Sequence, residues 1–168
     1  MSPPQPPPPA AVARYRGGPW HGLVIDGALA LLHPEVSPAV AGELWLLAEE
    51  GKRLSAWVEY LARAGIRTLP SFAMVEAQED GVRVLVRGEV EVRCDGQIIS
   101  GRDYTTWREE LISQPTEIEL HAAAVEAPWW PIRSGVVGAA QLRAHLSAGP
   151  ARATLDDEAD LELTVARM

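Results

Sequence analysis

The sequence predicts an α+β fold: an N-terminal β-hairpin, a helical hairpin, and then a mostly antiparallel, curled β-sheet. Two observations lead to this expectation. Apolar residues recur every three or four positions between Pro38 and Gly65, as on one face of a helix, and alternate with polar residues from Phe72 onwards. Asp-Gly turn dipeptides separate several apolar segments, and such short turns make neighbouring strands antiparallel.

Length and charge limit the possible functions. The chain has 168 residues, 47% of them hydrophobic, which suits one domain. Its formal net charge of −8 opposes binding to a nucleic-acid backbone or to an anionic membrane. Cys94 is the one cysteine, which excludes an internal disulfide, disfavours a zinc cluster and fits a reducing, cytoplasmic compartment. No run of about 18 uncharged apolar residues occurs, so we expect no membrane span.

Composition divides the chain into three expected segments. Residues 1–19 form a disordered Pro-rich leader, because a polyproline II stretch without apolar periodicity does not join a core. Residues 20–149 form a single α+β domain. Residues 150–168 form an acidic, flexible tail.

The first half of the domain contains a β-hairpin and two helices. Two apolar runs flank an Asp26-Gly27 turn, which is typical of a hairpin. Ser37 is expected to cap a helix with Pro38 at its first position, where the missing N–H of proline costs nothing. Residues 54–62 carry an apolar stripe with helical spacing, which predicts the second helix.

The second half is expected to be a meander of strands. One turn is centred on Gly88, which places Arg87 beside Glu89. A short helix is expected at Gln141–Leu146, after a last strand. The other strands are expected at 72–77, 82–87, 90–94, 98–99, 105–110 and 118–120, and the segment 105–110 is also compatible with a short helix.

The sequence predicts no catalytic residue, no cofactor and no metal site. None of the four histidines stands in a catalytic or metal-binding signature, and phosphate-binding loops of the Walker or dinucleotide type are absent. Cys94 lies on the apolar side of its strand and is expected to be a buried, unreactive thiol. The remaining enzyme alternative uses His121 or His145 with a carboxylate.

Six tryptophans are the unusual feature of the composition. Trp45 and Trp57 lie on helical apolar stripes, which predicts core packing. Trp129 and Trp130 lie together in a loop bracketed by prolines, where both rings cannot easily point inward. Half-exposed aromatic side chains in a rigid loop suit a partner interface, so Trp129 and Trp130 are candidate partner-binding residues. Local packing of this pair is the alternative.

Three segments in order resemble a known region. They are Leu69–Val75, Val84–Val92, and Ser100-Gly101 followed by Thr105–Glu109. Together they resemble the N-terminal region of uncharacterised actinobacterial proteins in which this region precedes a forkhead-associated (FHA) domain. The likeness covers about residues 15–147 and implies no activity. The sequence is without the FHA domain itself, so no phosphothreonine-binding residue is transferred.

The acidic run at 156–160 is similar to the linker that introduces the FHA domain in those proteins. We hypothesise that Thr164 is phosphorylated and then bound by an FHA domain on another chain. A phosphate adds about −1.5 to −2 charge, which arginine side chains bind strongly. A solvated acidic terminus is the alternative.

The expected function is that of a non-enzymatic adaptor or structural component in a cytoplasmic assembly. Its partner would be a protein, such as an FHA-domain protein or a second copy of the chain, and not a nucleic acid. The Trp129-Trp130 loop, an open sheet edge and the two terminal segments are the expected contact surfaces. The alternative is a small-ligand sensor whose curled sheet encloses a pocket.

Overall fold

The computed structural model describes residues 13–146 and is mostly β. Within this range, nine strands form one sheet and two α-helices lie between the second and third strands. No helix of the described range is long and apolar enough to cross a membrane. The elements are β1 (Ala13–Ile25), β2 (Ala28–Leu32), α1 (Pro38–Glu49), α2 (Leu54–Leu61), β3 (Phe72–Gln78), β4 (Gly81–Cys94), β5 (Gln97–Gly101), β6 (Arg108–Ile112), β7 (Ile118–His121), β8 (Trp130–Ile132) and β9 (Gly135–Ala144).

Six of the strands close into an antiparallel barrel. The ring runs β1, β2, β3, β4, β7 and β9, and β9 pairs again with β1. β6 pairs with the first half of β4 and β5 with its second half, and β8 pairs with the start of β1. The expected α+β fold with a curled sheet is therefore wrong. The sheet does not stay open, because closing the ring hydrogen-bonds the two edges that a curled sheet would expose.

Apolar side chains fill the inside of the barrel. Many are valine and alanine, whose small size suits the narrow interior of a six-stranded ring. Alternation along each strand turns every second residue inward. Buried members of this cluster include Val24, Leu31, Val75, Val84, Val92, Leu120, Ala139 and Leu142.

Both helices cover the outer face of β2 and β3. The predicted cap of α1 is confirmed: Ser37 Oγ accepts a hydrogen bond from the Val40 N–H at 3.2 Å, with Pro38 in the first turn. Trp57 on α2 is fully buried, as predicted, and its Nε1–H donates to the Leu44 carbonyl at 3.0 Å. The strand side of this second core is formed by Leu23, Ala28, Ala30, Leu32, Phe72, Met74 and Leu85.

The first hairpin is confirmed, but the turn at Gly88 is wrong. Ile25 pairs with Ala28 across the predicted Asp-Gly turn. Gly88 instead lies inside β4 with φ +82°, at a register shift that extends to Glu91. There the partners of β4 change from β3 and β6 to β5 and β7. Gly88 is therefore a bulge that bends one long strand around the barrel.

The predicted helix at Gln141–Leu146 is also wrong. Its first four residues belong to β9, with Leu142 and Ala144 turned towards the interior cluster and Gln141 turned away. Cross-strand pairing with β1 and β7 outweighs the helix propensity of these residues. The predicted strand at 105–110 lies slightly later, as β6.

β1 begins inside the segment expected to be a leader. Ala13 pairs with Ile132 of β8, and Arg14 pairs with Arg143 of β9. Residues 13–19 thus belong to the described fold. The rest of the expected leader, residues 1–12, and the expected acidic tail lie outside the described residues.

We predict that Gly88→Ala lowers the free energy of unfolding by about 2–4 kcal/mol. An alanine at this positive φ is strained by about 1–2 kcal/mol, and its Cβ would lie against Ser71 Oγ. Gly96→Ala is the matched control, because Gly96 has φ +83° but open space around its missing Cβ. Urea unfolding measures both losses. Equal losses in the two variants would show that the bulge is not tightly packed.

Candidate functional site

Polar side chains cover the outer face of β4, β7, β9 and β1. Alternation turns them outward, because the residues between them face the interior cluster. Cross-strand partners lie side by side on one face, and here they form two rows across four strands. One row is Glu91, His121, Gln141 and Arg16, and the other is Arg93, Glu119, Arg143 and Arg14. We call these eight residues, together with Trp129, the arginine–tryptophan face.

Glu119 is the centre of the charge pairing on this face. Arg143 Nη2 donates to its Oε1 at 2.8 Å, and His121 Nδ1 lies 2.9 Å from its Oε2. Burial alone raises the pKa of this carboxyl, but the hydrogen bonds and charges of Arg143 and His121 more than offset burial and hold the pKa below its usual value. Glu119 is therefore ionised at neutral pH.

Gln141 and Arg16 fix the loop that follows β7. Gln141 is 3% exposed, and its Nε2 donates to the Ala123 carbonyl at 2.8 Å. Arg16 Nη1 donates to Gln141 Oε1 at 3.3 Å and to the Val125 carbonyl at 3.4 Å. These bonds hold the loop across the outside of β1 and β9, where it brings Trp129 over the sheet.

Two arginines stack on Trp129. The guanidinium carbon of Arg16 lies 4.6 Å from the ring centroid, and that of Arg143 lies 4.2 Å from it. Cation–π contacts of this kind contribute about 0.5–2 kcal/mol each. Among residues 13–146, the buried Nε atoms of Arg16 and Arg143 have no hydrogen-bond partner, and both guanidinium groups lie against the Trp129 ring. Trp129 is thus a partly buried anchor.

Trp130 has the opposite environment. It begins β8, lies opposite Tyr15 of β1, and is 57% exposed. Pro131 follows it in the middle of this strand, so β8 has no N–H to offer at its centre. The structure therefore separates the two candidate tryptophans: Trp129 is held against the arginines and Trp130 is presented to solvent. The third candidate residue, Thr164, lies outside the described residues.

The stacked arginines are a feature that the sequence analysis misses. The expected domain boundary after residue 19 placed Arg16 outside the fold, and the expected helix over 141–146 placed Arg143 outside the sheet. The signal was present as alternation of apolar and polar residues, in Ala13–Arg16 and again in Ala140–Ala144.

The histidines of the enzyme alternative have carboxylate neighbours. His121 lies beside Glu119, and His145 Nε2 lies 3.6 Å from Glu117 Oε2. No serine, threonine or cysteine side chain among residues 13–146 is hydrogen-bonded to His121 or His145. The described part of the chain therefore shows a paired acid and base but no nucleophile that they activate.

Cys94 is buried, in agreement with the sequence analysis. Burial, and then the neighbouring Asp95 carboxylate, raise the pKa of this thiol to about 11. The thiolate that would act as nucleophile or metal ligand is therefore scarce at neutral pH. Within residues 13–146, no group of three His, Cys, Asp or Glu side chains could hold a metal ion.

We predict that Glu119→Gln lowers the free energy of unfolding by about 1–3 kcal/mol at pH 7, because Arg143 loses its charged partner in a partly buried site. The pKa of Glu119 is lower in the folded state than its ordinary value of 4.5. Its charge therefore stabilises the fold at pH values above 4.5, and this stabilisation is lost as the pH falls through the folded pKa. The difference between the two proteins should therefore shrink towards pH 3.

Urea unfolding of both proteins at pH 7, 5 and 3 measures this difference. Glu117→Gln is the control, because its carboxylate is 43% exposed and lies 3.6 Å from Arg143, and we expect a loss below about 1 kcal/mol. A loss in Glu119→Gln that stays the same at every pH would contradict the assigned role of its charge.

No protein-family model, curated protein or solved structure matches this chain. The resemblance to the region that precedes an FHA domain therefore stays a prediction.

Proposed function

We propose that this protein is a non-enzymatic adaptor or structural component of a cytoplasmic assembly and that it binds a protein partner through Trp130. The observation that carries the proposal is the 57% exposure of an indole on a β-strand. Tryptophan is the residue type most enriched among the side chains that dominate binding energy at protein interfaces.

The rigidity of the surroundings supports this role. Trp129, the preceding residue, is stacked on Arg16 and Arg143. Pro131 restricts the backbone on the other side, and Trp130 itself is paired with Tyr15 of β1. A side chain on a backbone that is already ordered loses little further entropy on binding, so more of its contact energy appears as affinity.

The inside of the barrel also favours an adaptor over a sensor with an enclosed pocket. The ring interior is occupied by buried apolar side chains such as Val84, Val92 and Leu142. These side chains contribute to the stability of the fold, and a ligand would have to displace them. The alternative of a sensor with a pocket enclosed by the sheet stays a prediction.

We predict that Trp130→Ala weakens partner binding at least about thirtyfold while leaving the fold intact. Removing a dominant interface tryptophan costs at least about 2 kcal/mol of binding energy, or about thirtyfold in affinity. Ile98→Ala is the matched control, because Ile98 is 55% exposed on another strand, β5. Each full-length protein is used for native pull-down from its host, with mass spectrometry of the captured chains and a thermal melt as a folding check.

The same variants distinguish a foreign partner from self-association. If the partner is a second copy, sedimentation should show an oligomer for the wild type and for Ile98→Ala, and a monomer for Trp130→Ala. Equal binding by all three proteins would refute the role of Trp130.

Regulation through Thr164 is a separate part of the proposal. We predict that mass spectrometry of protein from its native host finds phosphate on Thr164 and that an FHA domain then binds the phosphorylated chain. Five acidic residues between 156 and 162 precede this threonine. Thr154, which comes before the acidic run, is the internal comparison. Absence of phosphate from both threonines would remove this part and leave the Trp130 interface untouched.

A further inference from the structure

A groove of about 850 Å³ lies outside the barrel, between the start of α1 and the end of α2. This volume lies within the usual range for small-molecule sites. Its apolar surface comes from both helices and from the segment that leads into β3. The apolar lining residues are Val36, Val40, Leu61, Leu69 and Pro70.

Two arginines line the groove where the chain leaves α2. The Arg63 guanidinium carbon lies 4.5 Å from the centroid of the Tyr60 ring, which also lines the groove. Arg67 is exposed and lies one short 3-10 turn further on, after Gly65 with its φ of +110°. Among residues 13–146, neither arginine has a carboxylate within 4 Å.

The charge at the other side of the groove is different. Ser37 and the amino-terminal turn of α1 lie there, and that turn carries no acidic side chain. Within the described range 13–146, Glu35 is the one carboxylate that lines the groove, and it lies 3.9 Å from His33 Nδ1. An anionic group is accordingly favoured beside Arg63 and Arg67.

We propose that this groove binds a small anionic amphiphile, with its apolar body against Val40 and Leu61 and its anionic group against Arg63 and Arg67. The apolar surface and the two guanidinium groups, which have no carboxylate partner among residues 13–146, line one groove, and one ligand of this class satisfies both. This inference goes beyond the proposed adaptor function and does not depend on Trp130.

The test is titration of the full chain with decanoate and decyl phosphate, below their micelle concentrations, and with decanol as the uncharged match. Isothermal calorimetry should show 1:1 binding of at least one anion, with an affinity about threefold to fivefold higher than that of decanol for each arginine that pairs with it, since an ion pair in a partly exposed site is worth up to about 1 kcal/mol. The two anions together distinguish a carboxylate from a phosphate ligand.

Three variants assign the binding to this groove. Arg67→Gln should weaken anion binding about threefold to fivefold and leave decanol unchanged, since Arg67 is exposed and its loss does not affect the core. Glu35→Gln should strengthen anion binding, because it removes the opposing charge. Arg133→Gln is the control, because Arg133 is an exposed arginine beyond β8 and outside the groove lining.

Val40→Trp should block the anions and decanol alike by filling the groove, with a thermal melt as the check on folding. Three results would overturn the proposal. One is that neither anion binds at millimolar concentration. Another is that the anions bind no more tightly than decanol. The third is that Arg67→Gln and Arg133→Gln weaken anion binding equally. Loss of the Trp130 interface would leave all of these measurements unaffected.

Discussion

The pairing of β1 with both β2 and β9 is the constraint on which the rest of the structure depends. Residues 21–25 pair with β2 on one side while residues 20–24 pair with β9 on the other, and this closes the ring. Once the ring is closed, every strand has an inner face that must be apolar. The outer face is then divided, because the helices cover β2 and β3 while polar rows cover β4, β7, β9 and β1.

Closure leaves three strands, β5, β6 and β8, outside the ring, and in the described part of the chain each of them is paired along one edge only. Such edges invite unwanted pairing unless they are short, charged or interrupted by proline. β6 carries three successive charged residues, Arg108, Glu109 and Glu110, and β8 carries Pro131 at its centre. The edges of β6 and β8 are thus protected against strand addition. The exposed feature of β8 is the Trp130 side chain, and side-chain recognition fits this surface better than strand addition.

Local features of this fold could be predicted from the sequence, whereas long-range ones could not. The first hairpin, the Ser37 cap and the burial of Trp57 each depend on residues within about one turn or one helix pair, so local patterns were sufficient. The bond from Arg16 to Gln141 joins residues 125 positions apart, and the polar rows exist only once four strands are in register. Alternation along one strand does not specify its neighbours, so neither the barrel nor the arginine–tryptophan face could be predicted.

The described polar groups with least access to water support the fold, which leaves the exposed groups to bind partners. Glu119 and Gln141 already pair with neighbours on the same face. Trp130 and the groove lie near opposite ends of β1. Tyr15 of β1 is paired with Trp130, and His21 Nε2 lies 2.7 Å from the carbonyl oxygen of Val36, which lines the groove. About six residues of strand separate them, or about 20 Å. Both ends of that span are paired with β9, which holds β1 in one arrangement. A ligand couples two sites only when it favours one of two arrangements of the protein. We therefore expect the two surfaces to bind their ligands independently.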